Sequence, residues 1–136
     1  MSANILIVED EIFVAIELES ILEDLGHCPV GIAPDLSSAE RFSDQPIDLA
    51  LVDLNLRDNL TGPEIGRRLS ERGVTVLSIT ANPRILGSGI AGTIGVLTKP
   101  TDEQSVRAAI DYALRVRGGA TNAVPPAGLT VFRQAA

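Results

Sequence analysis

The sequence predicts a doubly wound α/β fold, a five-stranded parallel sheet with helices on both faces. Three observations carry that reading. Short apolar runs, such as Ile5-Leu6-Ile7-Val8 and Leu49-Ala50-Leu51-Val52, alternate with amphipathic helical stretches. The runs are near-continuous in hydrophobicity, as expected for strands covered on both faces. Glycines and prolines punctuate the boundaries between the two kinds of segment.

The first strand is expected over residues 4–8. A helix over 12–25 follows, with Ile12, Ala15, Ile16, Leu18, Ile21, Leu22 and Leu25 on one stripe. Gly26 stops it as a C-terminal cap. Residues 28–33 read as a second strand, and Pro29 near its start marks an edge position. Asp35 caps a short helix over 36–42. The third strand is 49–53, and a helix from Gly62 or Pro63 to Arg72 comes next. Thr61 is its expected N-cap, with Glu64 at capping-box spacing, and Gly73 ends it. Strands over 74–79 and 94–98 and a last helix over 102–117 complete the pattern. Right-handed crossovers and the order 2-1-3-4-5 give a flavodoxin-like sheet.

Two stretches depart from the alternation. Residues 83–92 hold three glycines and a serine, so a helix there is expected to be short, irregular or mobile. A single domain is set at residues 1–118, and residues 119–136 are read as a flexible tail.

Bulk properties narrow the function. At 136 residues the chain supports one domain with a real core. A net charge of −7 repels a phosphate backbone, which argues against nucleic-acid binding. Aromatic residues are 3%, too few for base-stacking platforms. The single cysteine, Cys28, cannot form an internal disulfide, which suits a cytoplasmic location. It is expected to begin its strand as a small buried apolar residue. No signal peptide and no membrane span are expected. His27 is expected to be solvated in the turn before the second strand, and Arg67-Arg68 to lie on a solvated helix face.

The chemistry-bearing residues fall at the carboxyl ends of strands, where ligands collect in such sheets. Glu9, Asp10 and Glu11 follow the first strand, Asp53 closes the third, Thr80 follows the fourth, and Lys99-Pro100 follows the fifth. A carboxylate can accept a phosphoryl group as an acyl phosphate. Concentrating that much negative charge requires a cation, and Mg²⁺ (or Mn²⁺) prefers such oxygen ligands. Asp10, with Glu9 and Asp53, would hold it, and the Asn55 backbone carbonyl would be a further ligand. Lys99 offers a fixed positive charge and Thr80 a hydroxyl donor to phosphate oxygens. Catalysis would then be positioning and charge neutralisation.

These residues resemble a known family, the receiver domains of bacterial two-component response regulators. The matching pieces are Ile5-Leu6-Ile7-Val8-Glu9-Asp10-Glu11, Leu51-Val52-Asp53-Leu54-Asn55-Leu56, Ser78-Ile79-Thr80-Ala81 and Leu97-Thr98-Lys99-Pro100. The resemblance implies Asp53 as phosphoacceptor, Asp10 with Glu9 as the metal pair, Thr80 as the mobile hydroxyl and Lys99 as the ion-pair partner of the phosphate. It implies a cis peptide before Pro100. It also implies a histidine kinase or phosphotransfer protein as partner, and a protein target downstream.

Two features depart from the family pattern. Val96 stands where an aromatic residue usually turns inward on activation, and the 83–92 segment is rich in glycine. The combination is similar to an alphaproteobacterial subgroup of receivers. No output domain is seen, so a stand-alone receiver acting by protein contact or as a phosphate sink is expected. Its chemistry is limited to its own phosphorylation and dephosphorylation, so it is not expected to be an enzyme. Two alternatives come from other classes. A metal-dependent aspartyl-phosphate phosphatase usually needs a second acid where Asn55 stands. A degenerate scaffold would not need Asp53, Thr80 and Lys99 intact.

Overall fold

The computed structural model describes residues 2–42, 44–54, 56, 61–80, 93–99, 102–120, 123–127 and 129–131, without the side chains of 61–63. The expected elements form in the expected order. They are β1 (Asn4–Val8), α1 (Ile12–Asp24), β2 (Cys28–Ala33), α2 (Leu36–Glu40), β3 (Leu49–Asp53), α3 (Thr61–Glu71), β4 (Thr75–Thr80), β5 (Thr93–Thr98), α4 (Glu103–Arg117) and β6 (Leu129–Val131). The segment 83–92 and Pro100 lie outside the described residues.

The sheet runs β2-β1-β3-β4-β5-β6. The first five strands are parallel and keep the order expected from the sequence. The expected five strands become six. Leu129, Thr130 and Val131 pair antiparallel with Leu97, Val96 and Gly95. Part of the stretch read as tail is thus sheet. Gly95 permits it, because a Cβ there would stand 3.0 Å from the Thr130 carbonyl oxygen.

Side-chain alternation along the strands divides the core between the two faces. Ile5, Ile7, Leu49, Leu51, Leu77, Ile79 and Leu97 face α1 and α4, meeting Leu18, Leu22, Val106 and Ile110. Leu6, Val8, Ala50, Val52 and Val76 face α2 and α3, meeting Ala39, Ile65 and Leu69. Every residue of β3 is buried, which sets Asp53 in the middle of the fold.

The helix ends follow local chemistry. Asp35 accepts a hydrogen bond from the Ser38 N–H at 2.8 Å, as its cap position requires. Asp102 does the same for Ser105 at 2.7 Å. Gly26 adopts φ 86°, and the N–H groups of Gly26 and His27 donate to the Glu23 and Leu22 carbonyls. This is a Schellman closure, and its left-handed residue favours glycine. Pro29 sits on the outer strand, where its missing N–H costs no ladder bond, and the β1–β2 register shifts beside it.

Several expectations are corrected. Ile12 and Ile16 are 55% and 49% exposed, so only Ala15, Leu18, Ile21 and Leu22 form the buried stripe of α1. Cys28 is exposed, since the edge strand begins with that side chain turned outward. His27 is buried instead, and its Nδ1 accepts the Ala3 N–H at 3.1 Å. α3 begins at Thr61, and the expected Thr61 cap lies outside the described side chains. Glu64 holds Arg67 at 2.6 Å and Arg68 at 2.9 Å, and Arg68 also pairs with Glu40 across to α2. These bonds hold the Glu64 carboxyl down at about 2. Among the described residues, no helix is long and apolar enough to cross a membrane.

Candidate functional site

The parallel order of β1, β3, β4 and β5 gathers their carboxyl ends at one edge. Val8 pairs with Val52 and Asp53 with Ile79, so Glu9, Asp53 and Thr80 emerge from neighbouring strands. β5 ends opposite, with Thr98 beside Thr80. The Lys99 N–H donates to the Thr80 carbonyl at 2.8 Å, which pins the lysine backbone to β4.

Carboxylate oxygens of Glu9, Asp10 and Asp53 lie within 4.8 Å of one another. Lys99 Nζ donates to Asp53 Oδ2 at 3.0 Å and stands 3.6 Å from Glu9 Oε1. Glu9 and Asp53 are 2% and 3% exposed, and Thr80 is fully buried. Neither Glu9 oxygen has a hydrogen-bond partner among the described residues. An unsatisfied buried carboxylate is costly, and its proton affinity responds. Burial, then the neighbouring Asp53, push the Glu9 carboxyl up to about 8. Burial pulls the Lys99 ammonium down, but the hydrogen bond and charge of Asp53 outweigh it and raise it overall.

Three carboxylates facing one ammonium carry an excess of negative charge. That donor set, with two orphaned buried oxygens on Glu9, fits a hard divalent cation that prefers oxygen ligands. A recess of about 10 Å³ between Glu9, Asp53 and Lys99, floored by Val8, Val14, Leu18 and Ile79, has space of the order of one water or ion. Asn55, the further expected ligand, lies outside the described residues. Glu9, Asp10, Asp53, Thr80 and Lys99 are thus brought to one edge of the sheet.

A family model for the response regulator receiver domain matches residues 5–111. This chain belongs to that family. The receiver is 33% identical over 118 residues to the phyllosphere-induced regulator PhyR of Methylorubrum extorquens, spanning 84% of this chain and 44% of that protein. It superposes on the receiver domain of PhyR from Erythrobacter litoralis with a TM-score of 0.76, at 30% identity, over 88% of this chain and 95% of that one. It superposes on the anti-anti-sigma factor PhyR of Bartonella quintana with a TM-score of 0.77, at 30% identity, over 90% of this chain and 51% of that one. The chain therefore spans about half the length of the full-length relatives it matches.

Other features were not foreseen from the sequence. Val96, in place of the family's usual aromatic, is buried and pairs with Ser78 and Thr130. Beside it the Ser78 hydroxyl donates to Thr93 Oγ1 at 3.0 Å, satisfying two buried hydroxyls between β4 and β5. Ile12, Phe13 and Ile16 form an exposed apolar patch at the start of α1, directly after Asp10 and Glu11. Phe13, at 84% exposure, could have been noticed because it falls off the buried stripe.

Proposed function

We propose that this receiver accepts a phosphoryl group on Asp53 from a histidine kinase or phosphotransfer protein, in a Mg²⁺-dependent reaction in the cytoplasm. The contact that carries the reading is Lys99 Nζ at 3.0 Å from Asp53 Oδ2, beside the paired acids Glu9 and Asp10. An oxygen of the ionised Asp53 carboxylate attacks phosphorus. The donor's phosphorus–nitrogen bond breaks, and its electron pair stays on the imidazole nitrogen. The product is an acyl phosphate on Asp53. Lys99 neutralises one phosphate oxygen, and Thr80 closes β4 where its hydroxyl can donate to another. Glu9, Asp10 and Asp53 would hold the cation, with the Asn55 carbonyl as a further ligand. Bound there, it supplies positive charge to the transferring oxygens.

The donor must bring its phosphohistidine to the mouth of this pocket. The exposed Ile12, Phe13 and Ile16 begin the helix that directly follows Asp10 and Glu11, and they offer the donor protein an apolar docking surface. Output follows by protein contact, or by draining phosphate from the kinase. A relative bears the name anti-anti-sigma factor, which supports a protein target for this receiver as well. The chemistry is confined to the protein's own aspartate, without turnover of a separate substrate.

The test is incubation with acetyl phosphate, read by intact mass. One phosphate per chain is expected with Mg²⁺ and none with chelator. Multiple turnover of phosphate esters without a stable adduct would favour a phosphatase instead.

A further inference from the structure

A second polar concavity lies at the other end of the sheet. His27 immediately precedes β2, whereas Asp53 closes β3, so the two sites occupy opposite ends of the parallel strands. The concavity is a cleft of about 350 Å³, lined by Leu25, His27, Arg107, Asp111, Leu114 and Arg115. That volume is within the range of small-molecule sites, roughly 300–1,000 Å³.

Its lining is chemically selective. Arg107, Asp111 and Arg115 recur every fourth residue on one face of α4, at a spacing that allows ion pairs. Yet among the described residues neither arginine makes a side-chain hydrogen bond or ion pair, and neither does Asp111. Two guanidinium groups and one carboxylate leave the cleft positive, on a chain whose net charge is −7. His27 adds a fixed donor. Its Nδ1 accepts the Ala3 N–H, so the neutral ring carries its proton on Nε2. Burial lowers the His27 pKa against the opposing charge of Asp111, which keeps that neutral form. No protein acceptor takes the Nε2–H among the described residues, and the ring borders the cleft. Leu25 and Leu114 supply apolar surface beside these groups.

We propose that this cleft binds a small organic anion, a phosphate or carboxylate that also carries an ammonium group. The arginines and His27 take the anionic end, Asp111 takes the ammonium, and the leucines cover the carbon skeleton. Planar guanidinium forks suit phosphate and carboxylate oxygens. The carboxylate between them selects against simple inorganic anions.

The test is a magnesium-free titration of the ¹⁵N-labelled chain at constant ionic strength, using inorganic phosphate and phosphoethanolamine as probes. Saturable shifts are expected at Leu25, His27 and the Arg107 and Arg115 side chains. Phosphoethanolamine should bind about three-fold more tightly than phosphate, the scale of one exposed ion pair. Asp111→Asn should erase that preference and leave phosphate binding intact or stronger. Replacing both exposed arginines by alanine should abolish saturation. Shifts no larger than chloride produces, or confined to Asp53 and Lys99, would overturn the proposal, as would saturation that survives loss of both arginines.

Discussion

Lys99 reaches Asp53 through two anchors at once. Its ammonium donates to Asp53 Oδ2 at 3.0 Å, and its backbone N–H donates to the Thr80 carbonyl at 2.8 Å. One residue therefore couples the acid on β3 to the ends of β4 and β5. Lys99→Ala breaks only the first link. It leaves the carboxylates without their cation and should cost about 2 kcal/mol in metal-free protein, the scale of a hydrogen bond between charged groups. Mg²⁺ should recover part of that loss. Chemical denaturation with and without Mg²⁺ measures both, and equal stability of variant and parent in chelator would count against the coupling.

The Glu9 carboxyl, pushed up to about 8 from 4.5, makes metal-free stability depend on pH. The folded protein holds this proton more tightly than the unfolded chain. Its stabilising contribution is therefore complete below about 4.5 and declines as pH rises toward about 8. A cation competes with that proton, so Mg²⁺ affinity should rise across the same window. Denaturation series at several pH values check the first expectation, and Mg²⁺ titrations check the second. Glu9→Gln should flatten the slope, and a slope that persists in that variant would assign the titration to another group.

Crowding of Glu9, Asp10 and Asp53 also predicts a metal-linked melting temperature. A ligand bound only by the folded state adds about 2.7 kcal/mol at a hundredfold excess over its dissociation constant. Millimolar Mg²⁺ should raise the melting temperature well above its value in chelator. Calorimetry decides, and identical melting curves would contradict a cation site at these acids.

Much of this site was legible in the sequence because strand ends are legible. Glu9, Asp10, Asp53, Thr80 and Lys99 each follow an apolar run, and a parallel sheet must bring such ends together. Facing is harder to read. Ile12 and Ile16 share their residue type with core positions, and only the packing of α1 on the sheet reveals them as surface. His27 and Cys28 exchange their expected environments because Ala3, far away in sequence, supplies the N–H that His27 accepts. β6 escaped notice because three residues are too few for a period, and its seat at Gly95 depends on a missing side chain.

The exposed patch separates docking from chemistry. Phe13 is 84% exposed, so Phe13→Asp should change stability by no more than about 0.5 kcal/mol. It should slow phosphotransfer from a phosphohistidine donor protein by at least about ten-fold, roughly 1.4 kcal/mol of docking energy. Phosphorylation by acetyl phosphate should proceed as in the parent. Equal slowing with both donors would place the effect in the pocket, and no slowing with either would remove α1 from the docking surface.

The most direct measurement is to locate the phosphoryl group. The receiver is phosphorylated with acetyl phosphate and Mg²⁺, then reduced with borohydride, which converts an aspartyl phosphate to homoserine and releases the phosphate, and the homoserine is mapped by peptide mass. The account predicts the modification on Asp53, one per chain, and none in Asp53→Asn. Homoserine mapped to another position, or an Asp53→Asn protein modified to the same extent as the parent, would contradict it.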